Sequence, residues 1–227
     1  MRLFGLQKLT LLDYPERIAC TVFTGGCNLR CPFCHNGSLA LGDSKDEISE
    51  EEFFSFLESR AGRLDGVCIS GGEPTLQPDL ADFVRKIKAL GFSVKLDTNG
   101  TRPEVISSLI CEGLLDYIAM DIKNSPTKYA ETAGVKAFDY SPIAESIKII
   151  SESGVAHEFR TTVTAELHDA KDIREICKNL HQDAKYYLQA YRDEGEILEK
   201  GLSTPTEEQI SALLLAAREF LPYAEKR

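Results

Sequence analysis

The 227-residue sequence has no apolar run long enough to cross a bilayer, no low-complexity stretch and no Pro-, Gly- or Ser-rich linker. The first absence argues against a membrane-spanning helix. The others leave no point at which to divide the chain, so we expect one domain over residues 1–227 that ends in a short C-terminal helix. The N-terminus reads MRLFG and lacks the pattern of a signal peptide, so we expect a cytoplasmic protein without a membrane partner.

Positive charge is also scarce. The chain has 26 lysines and arginines against 36 aspartates and glutamates, a formal net charge of −10. Such an acidic chain is a poor binder of phosphate backbones, and we expect no nucleic-acid partner. The seven cysteines are an odd number in a sequence without signs of secretion. Thiol chemistry or a metal site is therefore favoured over a complete disulfide framework.

Short β-branched runs alternate with amphipathic segments along the chain, which predicts an α/β fold with a parallel sheet. At roughly 35 residues for each strand–helix unit, the chain holds about six units, fewer than a complete eight-fold barrel needs. We predict an incomplete (β/α)6 TIM-like barrel, with a doubly wound open sheet as the alternative. The predicted strands are 18–23, 66–70, 93–98, 117–122, 157–163 and 185–190, and the predicted helices are 50–61, 79–90, 103–111, 140–153, 170–180 and 206–221.

Three cysteines with the spacing CxxxCxxC follow the first predicted strand, at Cys27, Cys31 and Cys34, with Gly25 and Gly26 just before them. A [4Fe–4S] cluster is held by thiolates on such loops and normally takes four, so three would leave one iron open. Zinc is the alternative, but it needs a fourth ligand, and the adjacent His35 is awkwardly close for a tetrahedral site. The other cysteines are scattered singly, and we expect two of them, Cys68 and Cys111, to be small buried hydrophobic residues.

Further polar motifs follow the later predicted strands. They read SGGEP at 70–74, DTNG at 97–100, AMDIK at 119–123, FRT within the fifth strand at 159–161, and QAYR at 189–192. Because the carboxyl ends of parallel strands meet at one edge of a barrel, we expect these motifs to surround one site together with the cysteines.

Together these motifs resemble those of the radical S-adenosylmethionine (SAM) superfamily, over nearly the whole chain. Within it, DTNG and AMDIK resemble the activating enzymes of glycyl radical enzymes, and most closely those that activate anaerobic ribonucleoside-triphosphate reductase. The segment Leu12-Asp13-Tyr14-Pro15 matches an element of that group, although Glu16 stands where a glycine usually follows. This departure bears on the identity of the partner rather than on the chemistry.

The resemblance implies an anaerobic oxidoreductase that contains one [4Fe–4S] cluster on Cys27, Cys31 and Cys34. The SAM amino and carboxylate groups would chelate the fourth iron. Reductive cleavage of SAM would give methionine and a 5′-deoxyadenosyl radical, which abstracts a glycine Cα hydrogen from the partner. The implied partner is anaerobic ribonucleotide reductase, and the implied electron donor is a flavodoxin or a ferredoxin.

The resemblance also implies roles for individual residues toward SAM. Gly71 and Gly72 would let the backbone approach the methionine amine. The rings of Phe33 and His35 would line the adenine side. The basic side chains of Lys123 and Arg160 would face the carboxylate or ribose oxygens. The expected SAM-binding residues are Phe33, His35, Gly71, Gly72, Glu73, Lys123, Arg160 and Gln189.

Two further sites are implied. Asp97, Thr98, Asp121 and the Met120 carbonyl resemble a monovalent-cation site, and oxygen ligands suit such an ion; alternatively, the two aspartates only cap helices at strand ends. Separately, Asp13 and Tyr14 are candidate contacts with the glycyl loop of the partner.

Two alternative functions stay open from the sequence. A radical SAM enzyme that acts on a small molecule would share every one of these motifs. A non-catalytic iron–sulfur or zinc module would need a four-ligand site and would leave the motifs after the later strands without a role.

Overall fold

Eight β-strands lie side by side in one sheet among the residues that the computed structural model describes, namely 1–42, 47–193, 197–198 and 201–227. Their spatial order is their order in the chain. The first strand is antiparallel to the second, and every later neighbour is parallel. The strands are β1 (Leu3–Thr10), β2 (Ala19–Thr24), β3 (Gly66–Gly71), β4 (Ser93–Thr98), β5 (Tyr117–Asp121), β6 (Ala156–Val163), β7 (Tyr186–Ala190) and β8 (Glu225–Lys226).

Three of the connecting helices begin at residues whose side chains satisfy free backbone N–H groups. Ser49, Asp169 and Thr206 each form a capping box with the residue three positions on. Within the described residues, no helix has the length and apolar character needed to span a membrane. The helices are α1 (Gly37–Leu41), α2 (Glu50–Ser59), α3 (Leu80–Ala89), α4 (Pro103–Cys111), α5 (Tyr129–Thr132), α6 (Ser141–Glu152), α7 (Ala170–Cys177) and α8 (Glu207–Arg218).

The six predicted strands correspond to β2–β7, each within one residue at either end. Their order contains no reversal, whereas a doubly wound sheet reverses at its switch point. Among the described residues, β1 pairs with β2 and β8 pairs with β7, but β1 and β8 do not pair with each other, so the sheet is open. The prediction of an incomplete barrel is therefore confirmed, while the edge strands β1 and β8 and the short helices α1 and α5 were not predicted.

The central strands β2–β5 are largely buried on both faces. Apolar residues such as Val94 and Leu96 of β4 belong to the main hydrophobic core, which also contains the buried faces of the helices. Side chains alternate along a strand, so Lys95 and Asp97 point to the opposite face, which is the barrel interior.

The predicted burial of Cys68 is confirmed, but that of Cys111 is wrong, because this residue is exposed at the end of α4.

Candidate active site at the carboxyl ends of the strands

Backbone hydrogen bonds hold the loop that carries Cys27, Cys31 and Cys34 at its start and in its middle. At the start, the Gly26 N–H donates to the carbonyl of Leu39 in α1 at 2.8 Å, so this short helix folds back on the loop. In the middle, the Arg30 N–H donates to the Ala133 carbonyl, also at 2.8 Å. The positions of the cysteines therefore depend on two segments that lie outside the cysteine motif.

The glycine turn after β3 lies directly against the backbone that leads into the cysteine loop. The Gly72 N–H donates to the Thr24 carbonyl, and the Glu73 N–H donates to the Gly26 carbonyl, each at 2.8 Å. A Cβ atom on Gly72 would lie 2.1 Å from that Gly26 oxygen, and Gly71 has a φ of +113°. In this structure the glycines thus permit close contact between two backbone segments, and their contact with the methionine part of SAM stays a prediction.

Glu73 is 1% exposed and holds the next motif in place. Its carboxylate accepts hydrogen bonds from the Thr98 hydroxyl at 2.7 Å and from the Asn99 N–H at 2.6 Å, and also from the N–H of Thr75. Burial raises the pKa of Glu73, although these hydrogen bonds act in the opposite direction. Both carboxylate oxygens are therefore engaged with protein donors, and Glu73 positions the turn at 98–99.

Asn99 links this turn to the cysteine loop. Its Nδ2 donates to Oδ1 of Asn28 at 3.0 Å and lies 3.8 Å from Sγ of Cys27. The Leu29 N–H is 3.4 Å from the same sulfur. Hydrogen bonds to thiolate sulfur tune the potential of an iron–sulfur cluster. We did not predict a role for Asn99, although its place in the DTNG motif was a signal for one.

Most of the predicted site residues line one cavity at this edge of the sheet. The cysteine loop and the ends of β3–β6 all contribute to its wall. Met120 and Gln189 are outside the wall that the described residues form; Gln189 pairs in register with Thr162, which does line it. The predicted residues in the wall are Cys27, Cys31, Phe33, Cys34, His35, Gly71, Gly72, Glu73, Asp97, Thr98, Asp121, Lys123 and Arg160, and the wall also contains Leu29, Asn36, Ser70, Asn99 and Thr162, which were not predicted.

Two aspartates and two cations of this wall form an ion network with Lys95, which lies beneath it. Nε of Arg160 donates to Asp121 at 2.8 Å, and Nη2 of the same residue lies 3.5 Å from Asp97. Lys123 is 3.2 Å from Asp121, and Lys95 donates to Asp97 from below. Arg160 also lies 3.9 Å from Glu158, which in turn pairs with Arg227. The linked groups therefore carry four positive and three negative charges, and the network has a surplus positive charge to offer an anionic ligand.

The network shifts the pKa values of its members. Burial acts to raise the carboxyl pKa of Asp97 and of Asp121, but the neighbouring cations outweigh it, and both values lie below the ordinary one. Burial acts to lower the pKa of Lys95 and of Lys123, and the aspartates reverse that effect in the same way. All four groups are charged at neutral pH.

Stability should therefore fall in acid. A carboxyl group whose pKa is depressed on folding stabilises the protein above the unfolded value of about 3.9, and that contribution is lost as the pH falls toward the folded value. We expect the difference in unfolding free energy between wild type and Asp121→Asn, measured by urea denaturation, to shrink from pH 6 to pH 3. Asp82→Asn, at an exposed position on α3, should keep the wild-type pH profile. A constant difference for Asp121→Asn would contradict the assignment.

The side-chain oxygens of the residues expected to hold a monovalent cation already have donors within the protein, and the cation site stays a prediction. All four oxygens of Asp97 and Asp121 accept from Lys95, Ser70, Arg160 or Lys123. The Thr98 hydroxyl donates to Glu73 and accepts from the Gly100 N–H. Among the described residues, no three His, Cys, Asp or Glu side chains are grouped as ligands of a single metal ion.

Asp13 and Tyr14 lie just before β2, at the end of that strand opposite to the cysteine loop. Tyr14 is 2% exposed and packs against Tyr117, while Asp13 accepts a hydrogen bond from Thr21 at 2.6 Å. The exposed side chain of this segment is Leu12, at 89%. Contact of Asp13 and Tyr14 with a partner stays a prediction.

The cysteine loop fits an iron–sulfur cluster. All three thiols are free and face the same cavity. Burial raises the pKa of Cys31 to about 12, and the charge of Lys123 opposes that shift. Iron binding must displace thiol protons, and a nearby cation favours the thiolate form. The cavity thus combines three thiol ligands, donors to sulfur and surplus positive charge.

Comparison with known proteins agrees with this geometry. The radical SAM superfamily model matches residues 21–180, and the chain therefore belongs to that superfamily and is a radical SAM enzyme. The family implies a [4Fe–4S] cluster and SAM as cofactors. Within it, the chain is similar to glycyl-radical enzyme activating enzymes. It is 35% identical over 223 residues to a Methanocaldococcus jannaschii protein of that description. The match covers 96% of this chain and 92% of the relative.

Two further matches are a curated relative and a solved structure. The chain is 28% identical over 206 residues to the pyruvate formate-lyase-activating enzyme of Clostridium pasteurianum, covering 86% of this chain and 83% of that enzyme. Its fold resembles a radical SAM methyltransferase from Sphaerobacter thermophilus with a TM-score of 0.73 and 17% identity, over 96% of this chain and 68% of that one. The last likeness concerns the fold alone.

Proposed function

We propose that the chain activates a glycyl radical enzyme, using one [4Fe–4S] cluster on Cys27, Cys31 and Cys34. The observation that carries the proposal is the cavity in which these three free thiols face Lys123 and Arg160. When bound, the cluster and SAM supply one-electron cleavage of SAM and abstraction of a hydrogen atom from a glycine Cα of the partner.

The chain's own residues bind and orient the cofactors in this proposal. Arg160 presents a planar donor group and Lys123 a point charge, and together they would hold the SAM carboxylate. Phe33 and Leu29, which are 4% and 2% exposed, give the cavity an apolar wall beside the cysteines. This wall limits the access of water to the reacting groups.

The sheet opening supports a macromolecular substrate. Since β1 and β8 do not pair within the described part of the chain, the barrel is open on one side. A loop of a partner protein could enter there and reach the carboxyl ends of the strands. We propose anaerobic ribonucleotide reductase as the partner, on the resemblance of the segment 12–15, and flavodoxin or ferredoxin as the electron donor.

The test is made under strict anaerobiosis with the chain reconstituted with iron and sulfide. Dithionite, SAM and either anaerobic ribonucleotide reductase or pyruvate formate-lyase are added, and 5′-deoxyadenosine and the glycyl-radical doublet in electron paramagnetic resonance are measured. We expect the doublet on the reductase, and none on a reductase variant in which the radical glycine is alanine.

Three other outcomes would each contradict one part of the proposal. A doublet on pyruvate formate-lyase alone would reassign the partner. Formation of 5′-deoxyadenosine without a doublet on either enzyme would contradict activation of these partners and favour a small-molecule substrate. A chain that holds about four irons but does not cleave SAM would contradict the catalytic proposal itself.

A further inference from the structure

Lys95 is a lysine in the middle of a strand, and it is 1% exposed. Its ammonium donates to Asp97, lies 3.8 Å from Sγ of Cys68, and is 6.0 Å from the centroid of the Tyr117 ring. A buried charge is costly unless it is paired and hydrogen-bonded. Asp97 is the carboxylate that pairs with this ammonium in the described structure.

The strand register explains why Lys95 points to the interior. Val94 and Leu96 lie on the face of β4 that joins the hydrophobic core, so Lys95 and Asp97 share the opposite face. Lys95 also pairs in register with Cys68 of β3, which is fully buried. The ammonium is therefore enclosed beneath the cavity, while Asp97 lies in the cavity wall above it.

Asp97 is thus held by cations on two sides. One oxygen accepts from Lys95, and the other accepts from the Ser70 hydroxyl at 3.1 Å and lies 3.5 Å from Arg160. If Lys95 were neutral, Arg160 would be the main counter-ion of Asp97 as well as of Asp121. Arg160 would then be less free to bind an anion in the cavity.

We propose that Lys95 is a positioning residue that takes the place of a monovalent cation beside Asp97, so that SAM binding by this chain needs no added cation. The inference rests on the proposed function only in that the cavity binds SAM; it does not depend on the partner or on radical transfer. Lys95 supplies the positive charge from within the fold, and Arg160 and Lys123 stay available to the ligand carboxylate.

The decisive variants are Lys95→Val and Lys95→Met. Valine suits a strand and leaves space where the ammonium was, which a small cation can enter. Methionine removes the charge but fills most of the same volume. Lys86→Met is the matched control, since Lys86 is a solvent-exposed lysine on α3 that pairs with Glu50 at 2.9 Å.

The experiment measures SAM binding to the reconstituted chains by anaerobic equilibrium dialysis. Chloride salts of potassium, ammonium and tetramethylammonium are used at equal ionic strength, because the last cation is too large to enter. We expect wild type and Lys86→Met to bind SAM within about twofold in all three salts. We expect Lys95→Val to bind about 10-fold more weakly in tetramethylammonium and to recover in potassium or ammonium, and Lys95→Met to be weak in all three.

Thermal unfolding of the same chains without SAM gives a second readout. Potassium or ammonium should raise the midpoint of Lys95→Val relative to tetramethylammonium, by more than it does for wild type. This shift does not depend on any activity.

Two results would overturn the inference. One is a wild type whose SAM affinity falls about 10-fold when potassium is replaced by tetramethylammonium, and this arm needs no variant to fold. The other is a folded Lys95→Val that stays weak in every salt, which would make Lys95 purely structural. A wild type that binds no SAM in any salt would instead overturn the proposed function, and this inference with it.

Discussion

Cys31→Ala should abolish both cluster assembly and SAM cleavage. Cys31 is the central ligand of the loop and is 6% exposed, so no solvent thiol has ready access to its place. With two thiolates left, the reconstituted chain should hold far fewer than the roughly four irons per chain of a [4Fe–4S] protein. Iron and sulfide content are measured first, and 5′-deoxyadenosine after addition of dithionite and SAM.

Cys111→Ala is the matched control for this variant. Cys111 is a free thiol at the exposed end of α4, outside the cavity. It should keep the iron content and the SAM cleavage of the wild type. Full iron content in Cys31→Ala would show that the cluster is held elsewhere, and tightly bound zinc in the wild type without SAM cleavage would favour a binding module.

Gly134→Ala should destabilise the fold and impair cluster assembly without touching a cysteine. Gly134 has a φ of +66°, and a Cβ atom there would lie 1.9 Å from the backbone oxygen of Arg30 in the cysteine loop. The left-handed backbone costs alanine about 1–2 kcal/mol, and displacing the loop adds about 1–3 kcal/mol. Urea denaturation should show the sum, and iron content should fall because the loop is displaced between Cys27 and Cys31.

The chain provides a close control at Gly113. Its φ is +65°, but a Cβ atom there would meet nothing within 4 Å. Gly113→Ala should therefore show only the backbone cost of about 1–2 kcal/mol and a normal iron content. Equal losses in the two variants would mean that contact with Arg30 does not hold the loop.

The parts of the fold that could be predicted were those encoded in short segments. The parallel strands β2–β7 have the β-branched runs that the sequence shows, and each lies within one residue of its prediction. The edge strand β8 could not be predicted in this way. It is two residues long, and its pairing with β7 is a contact between distant parts of the chain.

The candidate site divides in the same way. The cysteine spacing and the motifs after the strands named most of the residues that line the cavity. They did not show that Glu73 holds the turn at Thr98 and Asn99, or that Asn99 reaches Cys27. Hydrogen bonds between separate loops depend on how strands are placed side by side, and no single motif contains that information.

The sequence by itself thus determined the local chemistry: three thiols with cluster spacing, a glycine pair after a strand, and basic residues at strand ends. That the glycine pair lies against the backbone before the cysteine loop was decided by the tertiary structure. The residues that resemble a cation site show what local likeness leaves out. All four are present, but in the folded chain Lys95 and Arg160 already occupy the aspartate oxygens. Which charge neutralises a buried carboxylate is decided by which neighbour the barrel brings within hydrogen-bond distance, and that is a property of the tertiary structure.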